Sequence, residues 1–161
     1  MAGVNPIPKG LHTVTPNLVI RDCSKAIEFY KRAFGAQEVA RFPSPDGKSI
    51  WHAELKFGDS VVFMCDEMPG GQRAPAGSEP LPVTMWLYVT DSDASFRRAL
   101  DAGARSTMQP DDMFWGDRCA GVADPFGYQW SFATHQKDLT AEEMRRAGES
   151  FAQSMQQGHL P

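Results

Sequence analysis

A repeat of spacing limits most what this chain can fold into. Asp22 follows the short apolar run Leu18–Ile20 and is succeeded by Gly35-Ala36 and then Phe57-Gly58. Asp91 follows Met85–Val89 and is succeeded by Gly103-Ala104 and then Phe126-Gly127. Each frame runs 36 residues from its Asp to its last Gly, and the frames are offset by 69. Such a period marks a duplicated supersecondary unit.

The pattern inside each frame gives the unit. Thr13–Ile20 alternates and is β-rich, which predicts a strand. Ser24–Phe34 places Ile27, Tyr30 and Phe34 on one helical face, with Gly35 as the stop and Asp22 or Ser24 as the cap. Strands follow at Glu38–Phe42, Ile50–Phe57 and Val61–Cys65, joined by an Asp46-Gly47 turn and a tight Gly58-Asp59 turn. The second frame repeats this with a strand at Val83–Val89, a helix at Asp93–Ala102 and a short strand at Arg105–Met108. A long loop through Phe114-Trp115 leads to strands at Arg118–Ala123 and Tyr128–Thr134. The fold class is therefore α+β, with two tandem βαβββ modules.

The expected layout is an N-terminal extension over 1–12, modules over 13–67 and 83–136, a Pro/Gly linker over 68–82 and a helical tail over 137–161. In that tail Thr140-Ala-Glu-Glu143 has capping-box spacing, and Met144, Ala147, Phe151 and Met155 form an apolar stripe suited to the parent domain or to a partner subunit.

Composition narrows the function. A chain of 161 residues is about one typical domain, and 42% apolar with 22% charged residues is a globular balance. A net charge of −4 speaks against a polyanion partner such as nucleic acid. Apolar stretches stop at six or seven residues, too short to span a bilayer. Residues 1–11 lack a basic segment followed by an apolar stretch, so the expected location is cytoplasmic. Cys23, Cys65 and Cys119 form no CxxC pair. No nucleophile-elbow, P-loop or dinucleotide glycine signature is present.

The two βαβββ frames, with Asp22–Gly35 reading DCSKAIEFYKRAFG and Asp124–Ser131 reading DPFGYQWS, resemble the vicinal oxygen chelate superfamily of glyoxalase I, extradiol dioxygenases and bleomycin-resistance proteins. The strings TPNLVIRD, HAELKFGDS, FWGDR and DPFGYQW are most similar to its PhnB-like branch. The resemblance implies paired modules curling round a cavity, often completed in a homodimer. It also implies divalent-metal ligands on the first and last strands of each module. Those positions fall at Thr15, Phe63, Met85 and Ser131, none of them a His or a carboxylate, so no metal cofactor is expected at the usual place.

Strand alternation from those positions selects the cavity face: Thr13, Thr15 and Asn17; Val61, Phe63 and Cys65; Met85, Leu87 and Val89; Gln129, Ser131 and Ala133. Leu18, Ile20, Trp86, Tyr88, Trp130 and Phe132 should then pack under the helices. In the Phe114–Arg118 loop, Trp115 is a candidate to stack on a planar ligand and Arg118, beside Asp117, to take an anionic group. The favoured function is binding of a small aromatic or amphipathic molecule in an inter-module cavity. The alternative is a lyase, isomerase or dioxygenase with relocated metal ligands drawn from His52 and Glu54, which share one strand face, together with His12 and His135. His159, in the tail, reads as surface.

Overall fold

The repeated residues are the caps and turns of two successive βαβββ units. In the computed structural model, which describes residues 4–76 and 81–156, the first unit contains β1 (Asn17–Ile20), α1 (Cys23–Phe34), β2 (Gln37–Pro43), β3 (Ile50–Phe57) and β4 (Ser60–Asp66). The second contains β5 (Thr84–Tyr88), α2 (Ser92–Asp101), β6 (Arg105–Asp112), β7 (Asp117–Ala123) and β8 (Gln129–His135), followed by α3 (Ala141–Gln156). The chain divides into two compact units, Met1–Pro80 and Leu81–Pro161.

Asp22 caps α1 by accepting from Lys25 N, and Asp91 caps α2 by accepting from Ala94 N. Each satisfies an amide that the first helical turn leaves unpaired. Gly35 ends α1 at a positive φ of 69°, a conformation that costs a side chain.

Each unit is one mixed four-stranded sheet, in the orders β1-β4-β3-β2 and β5-β8-β7-β6, with the first pair of each parallel and the rest antiparallel. One sheet face is covered by the unit's helix. In the first unit Leu18, Ile20, Val62 and Met64 are buried there with Ile27, Tyr30 and Phe34 of α1. Tyr30 stacks on Phe34 with ring centroids 5.4 Å apart. Burying a large apolar side chain of this kind contributes about 1.5–3 kcal/mol, so this face is the core. Trp130 and Phe132 fill the same layer of the second unit.

Three expectations need correction. The first strand starts at Asn17 rather than Thr13; Pro16 accepts from Phe63 N but has no N–H to extend the ladder. The predicted long loop is replaced by β6 running on to Asp112 and a tight turn, in which Met113 N donates to Asp117 O and Gly116 N to Met113 O.

The third correction concerns β5. Met85 and Leu87 pair across from Trp130 and Phe132, while Trp86 and Tyr88 pair with Ser131 and Ala133. Met85, Leu87 and Val89 therefore lie on the helix side, and Trp86 and Tyr88, 45% and 67% exposed, lie on the open side. A one-residue error of phase sends every side chain of a strand to the other face.

Thr140 and Glu143 do form the reciprocal capping box, but no residue of α3 is buried. The helix meets its own unit through Phe114, whose ring centroid lies 5.2 Å from that of Phe151. His159 lies outside the described residues.

Candidate functional site

The open faces of the two sheets carry the side chains with chemistry. In the first unit the register places Asn17 and Val19 beside Phe63 and Cys65, and Glu54 beside Phe63. His52 sits among rings: its centroid is 6.0 Å from Phe42, nearly parallel, and 4.8 Å from Phe63, edge to face. Its Nε2 is 3.2 Å from Glu54 Oε1, so the shared face predicted for this pair is present. A cleft of about 290 Å³ opens beside it, lined by Asn17, Val19, Trp51, His52, Cys65, Asp66, Met68 and Gln72.

Burial shapes this cleft's chemistry. Desolvation pushes the Cys65 thiol up, so it stays protonated and is a weak nucleophile. The buried thiols of Cys23 and Cys119 are pushed to about 12 and about 11 by the same cause. Asp66 is committed to the backbone: Oδ1 accepts from Cys23 N at 2.8 Å and Oδ2 from Ile50 N at 2.6 Å.

The second unit is organised around Asp117, which is 3% exposed. Its Oδ2 accepts from Tyr88 Oη at 3.2 Å and Trp115 Nε1 at 3.1 Å, and its Oδ1 faces His135 Nδ1 at 2.7 Å. The other imidazole nitrogen, Nε2, is 3.1 Å from Asp138 Oδ1. A carboxylate held by three donors is a satisfied buried charge. The hydrogen bond to Asp117, and then that to Asp138, holds the His135 imidazole above its usual range. The Asp117 bond likewise raises the Tyr88 phenol, which stays neutral.

Arg118 does not join this group. It pairs with Thr134 on the helix side of the sheet, where Nε and Nη2 grip Asp93 at 2.5 and 2.9 Å and Nη1 reaches Asp112 at 3.1 Å. The expected anion-binding role is replaced by a tie between β7, β6 and the start of α2. Trp115 is half-buried, with its indole N–H spent on Asp117.

The donor set does not fit the family's divalent metal. Thr15 uses its hydroxyl on His12 O at 3.3 Å, Phe63 offers a phenyl ring, and Met85 lies on the wrong face. Ser131 is left as one neutral oxygen, too little for an ion that wants three or four N, O or thiolate ligands. Among the described residues no three His, Cys, Asp or Glu side chains come together as a metal-binding group.

Sequence reasoning missed Trp86, Tyr88, Asp138 and the anchoring role of Asp66. The signal for β5 was present, since the 69-residue offset carries Thr15 and Asn17 onto Thr84 and Trp86.

The family model described as Glyoxalase/Bleomycin resistance protein/Dioxygenase superfamily matches residues 10–132. An uncharacterized protein of Mycobacterium bovis is 42% identical over 138 residues, covering 83% of this chain and 90% of its own. The crystal structure of TioX from Micromonospora aligns with a TM-score of 0.62 at 27% identity, over 77% of this chain and 98% of that one. An Arabidopsis thaliana gene product aligns with a TM-score of 0.61 at 31% identity, over 76% and 98%. No helix among the described residues is long and apolar enough to cross a membrane.

Proposed function

The chain belongs to the glyoxalase/bleomycin resistance protein/dioxygenase superfamily, and on that premise we propose that it binds a small aromatic or amphipathic organic molecule on its open sheet faces without a resident divalent metal. The observation that carries this reading is the cleft of the first unit. Its volume of about 290 Å³ lies at the lower end of the range for small-molecule pockets. Its lining mixes an indole, a thioether and an aliphatic wall with the amides of Asn17 and Gln72 and the His52 imidazole. Apolar walls with a few oriented polar groups suit an organic ligand. The ring of Phe63 stands beside His52 on the strand where the family places a ligand carboxylate, and it supplies a stacking surface there. The role that fits is capture of a metabolite or drug.

The test is a thermal-shift and tryptophan-fluorescence screen of the whole chain against neutral and charged aromatic compounds, with a chelator present throughout. A binder at one hundred times its Kd stabilises by about 2.7 kcal/mol, a rise in Tm of roughly 5–11 °C for a chain of this size. His52→Ala and Trp51→Ala should weaken that binder. Absence of any binder across the panel sinks the reading. Stoichiometric divalent metal retained after reconstitution, and lost on His52→Ala, replaces it with a metal enzyme of relocated ligands.

A further inference from the structure

The second unit carries a polar corner that the cleft of the first unit does not use. Asp117 is buried at the start of β7, yet the groups it holds are open to water: Tyr88 is 67% exposed and the His135 side chain 51%. A carboxylate can only accept, so the 2.7 Å contact places a proton on His135 Nδ1 and turns Nε2 outward. The imidazole is thus held in one orientation by its buried end, and the same carboxylate holds the Tyr88 ring through its hydroxyl.

The outward nitrogen already has an oxyanion against it. Asp138 Oδ1 lies 3.1 Å from Nε2, on a side chain fully exposed to solvent in the irregular stretch after β8. An ion pair so exposed contributes little, and although Gln136 N and Lys137 N donate to Gly116 O, the Asp138 side chain itself stands in solvent. Tyr88, held on the same Asp117 carboxylate, has Trp86 as its ring neighbour, with centroids 6.5 Å apart and planes tilted by 57°. Both rings belong to the open face, two residues apart on β5.

We propose that this corner is a subsite for an aromatic carboxylate, whose ring stacks on Tyr88 and Trp86 while its carboxylate takes the place of Asp138 on His135 Nε2. The inference rests on the small-molecule reading above and names a ligand class for the second unit. At His135 Nε2 the incoming carboxylate takes the acceptor position that Asp138 holds, while Asp117 stays on Nδ1. The raised protonation range of His135 keeps that donor available toward neutral pH. The groups facing the imidazole are Asp117 and Asp138, with the neutral Tyr88 phenol and Cys119 thiol adjoining Asp117.

Calorimetric titration of the full chain with 2-naphthoate and with neutral 2-naphthamide tests it. Asp138→Ala, at a fully exposed position, should tighten naphthoate by about two- to five-fold, the scale of the exposed pair it removes. His135→Gln should weaken naphthoate by about ten-fold or more and change naphthamide by less than about two-fold. Unchanged or weaker naphthoate binding in Asp138→Ala overturns the proposal, and that variant decides it even where His135→Gln does not fold. Naphthamide binding without naphthoate binding refutes the subsite alone. Absence of binding by every aromatic probe refutes the small-molecule reading as well.

Discussion

Replacing Asp66 by Ala should cost the first unit much of its stability, although its carboxylate forms no ion pair among the described residues and bonds only backbone amides. Its two oxygens accept from Cys23 N and Ile50 N at 2.8 and 2.6 Å. Cys23 is completely buried and Ile50 is 4% exposed. Cys23 N is one of the amides that the first turn of α1 cannot pair internally. Ile50 N lies at the start of β3, where the register with β2 shifts between Phe42 and Pro43. Leaving a buried donor unsatisfied costs about 1–3 kcal/mol, so two donors give about 2–6 kcal/mol. Asp66 itself is only half-buried, which lets water reach into the space left by the carboxylate. The lower half of that range, about 3 kcal/mol, is the expected loss, against a total of about 5–15 kcal/mol for a domain. At about 2–4 °C per kcal/mol, Tm should fall by roughly 6–12 °C in a circular-dichroism melt at pH 7. Asp59→Ala, in the exposed turn before β4, is the control and should stay within about 0.5 kcal/mol of the parent. Asp66→Asn, which keeps one acceptor oxygen, should fall between them. A Tm for Asp66→Ala within about 2 °C of the control would refute the reasoning, because the two amides would then have other acceptors.

Three further outcomes are expected. His135 binds its proton more tightly in the folded protein than in the unfolded chain, so its stabilisation is complete below the unfolded value of about 6.5 and is lost as pH rises through the raised folded value. Melting temperature should therefore decline over that window, and His135→Gln should remove this part of the slope. Gly116→Ala places a Cβ 2.5 Å from Lys137 O at a φ of +96°; a loss above about 2 kcal/mol is expected in a denaturant titration. Gly10→Ala, at a φ of +88° in open space, should lose only about 1–2 kcal/mol for its backbone conformation. Met85→Ala should lower stability and leave aromatic-ligand affinity intact, whereas Trp86→Ala should do the reverse, since the two project from opposite faces of β5. Equal effects of both on affinity would show that the assignment of faces carries no functional consequence.

Much of the fold was legible because its signals are local. Asp22 and Asp91 cap helices, Gly35 ends one, and Gly58 and Gly127 occupy hairpin turns at positive φ. Each role depends on the conformation of a few neighbouring residues, so spacing alone exposes it. The turn at Gly116 was legible only in part. Its glycine is demanded by Lys137, some twenty residues away, whose carbonyl leaves no room for a Cβ. On β5, Met85, Trp86, Leu87 and Tyr88 are all apolar enough for either side, so alternation is silent; the 69-residue offset from Asn17 to Trp86 carries the signal, and the pairing with β8 agrees with it. Arg118 and Asp117 are adjacent in sequence and were expected to act together. The pleat sends them to opposite faces, one to Asp93 on α2 and the other to Tyr88, Trp115 and His135.

By itself the sequence determined the duplicated βαβββ plan and the helix caps and turns. All of these are properties of residue type at a given spacing. Only the tertiary structure decided which side chains share a face and which carboxylate finds which donor. Asp117 meets Tyr88 and His135 across strands separated by 29 and 18 residues, and Asp66 meets Cys23 and Ile50 across 43 and 16. Contacts of that kind arise when sheet pairing brings distant segments together, and a buried carboxylate settles on whichever donors that pairing leaves without partners.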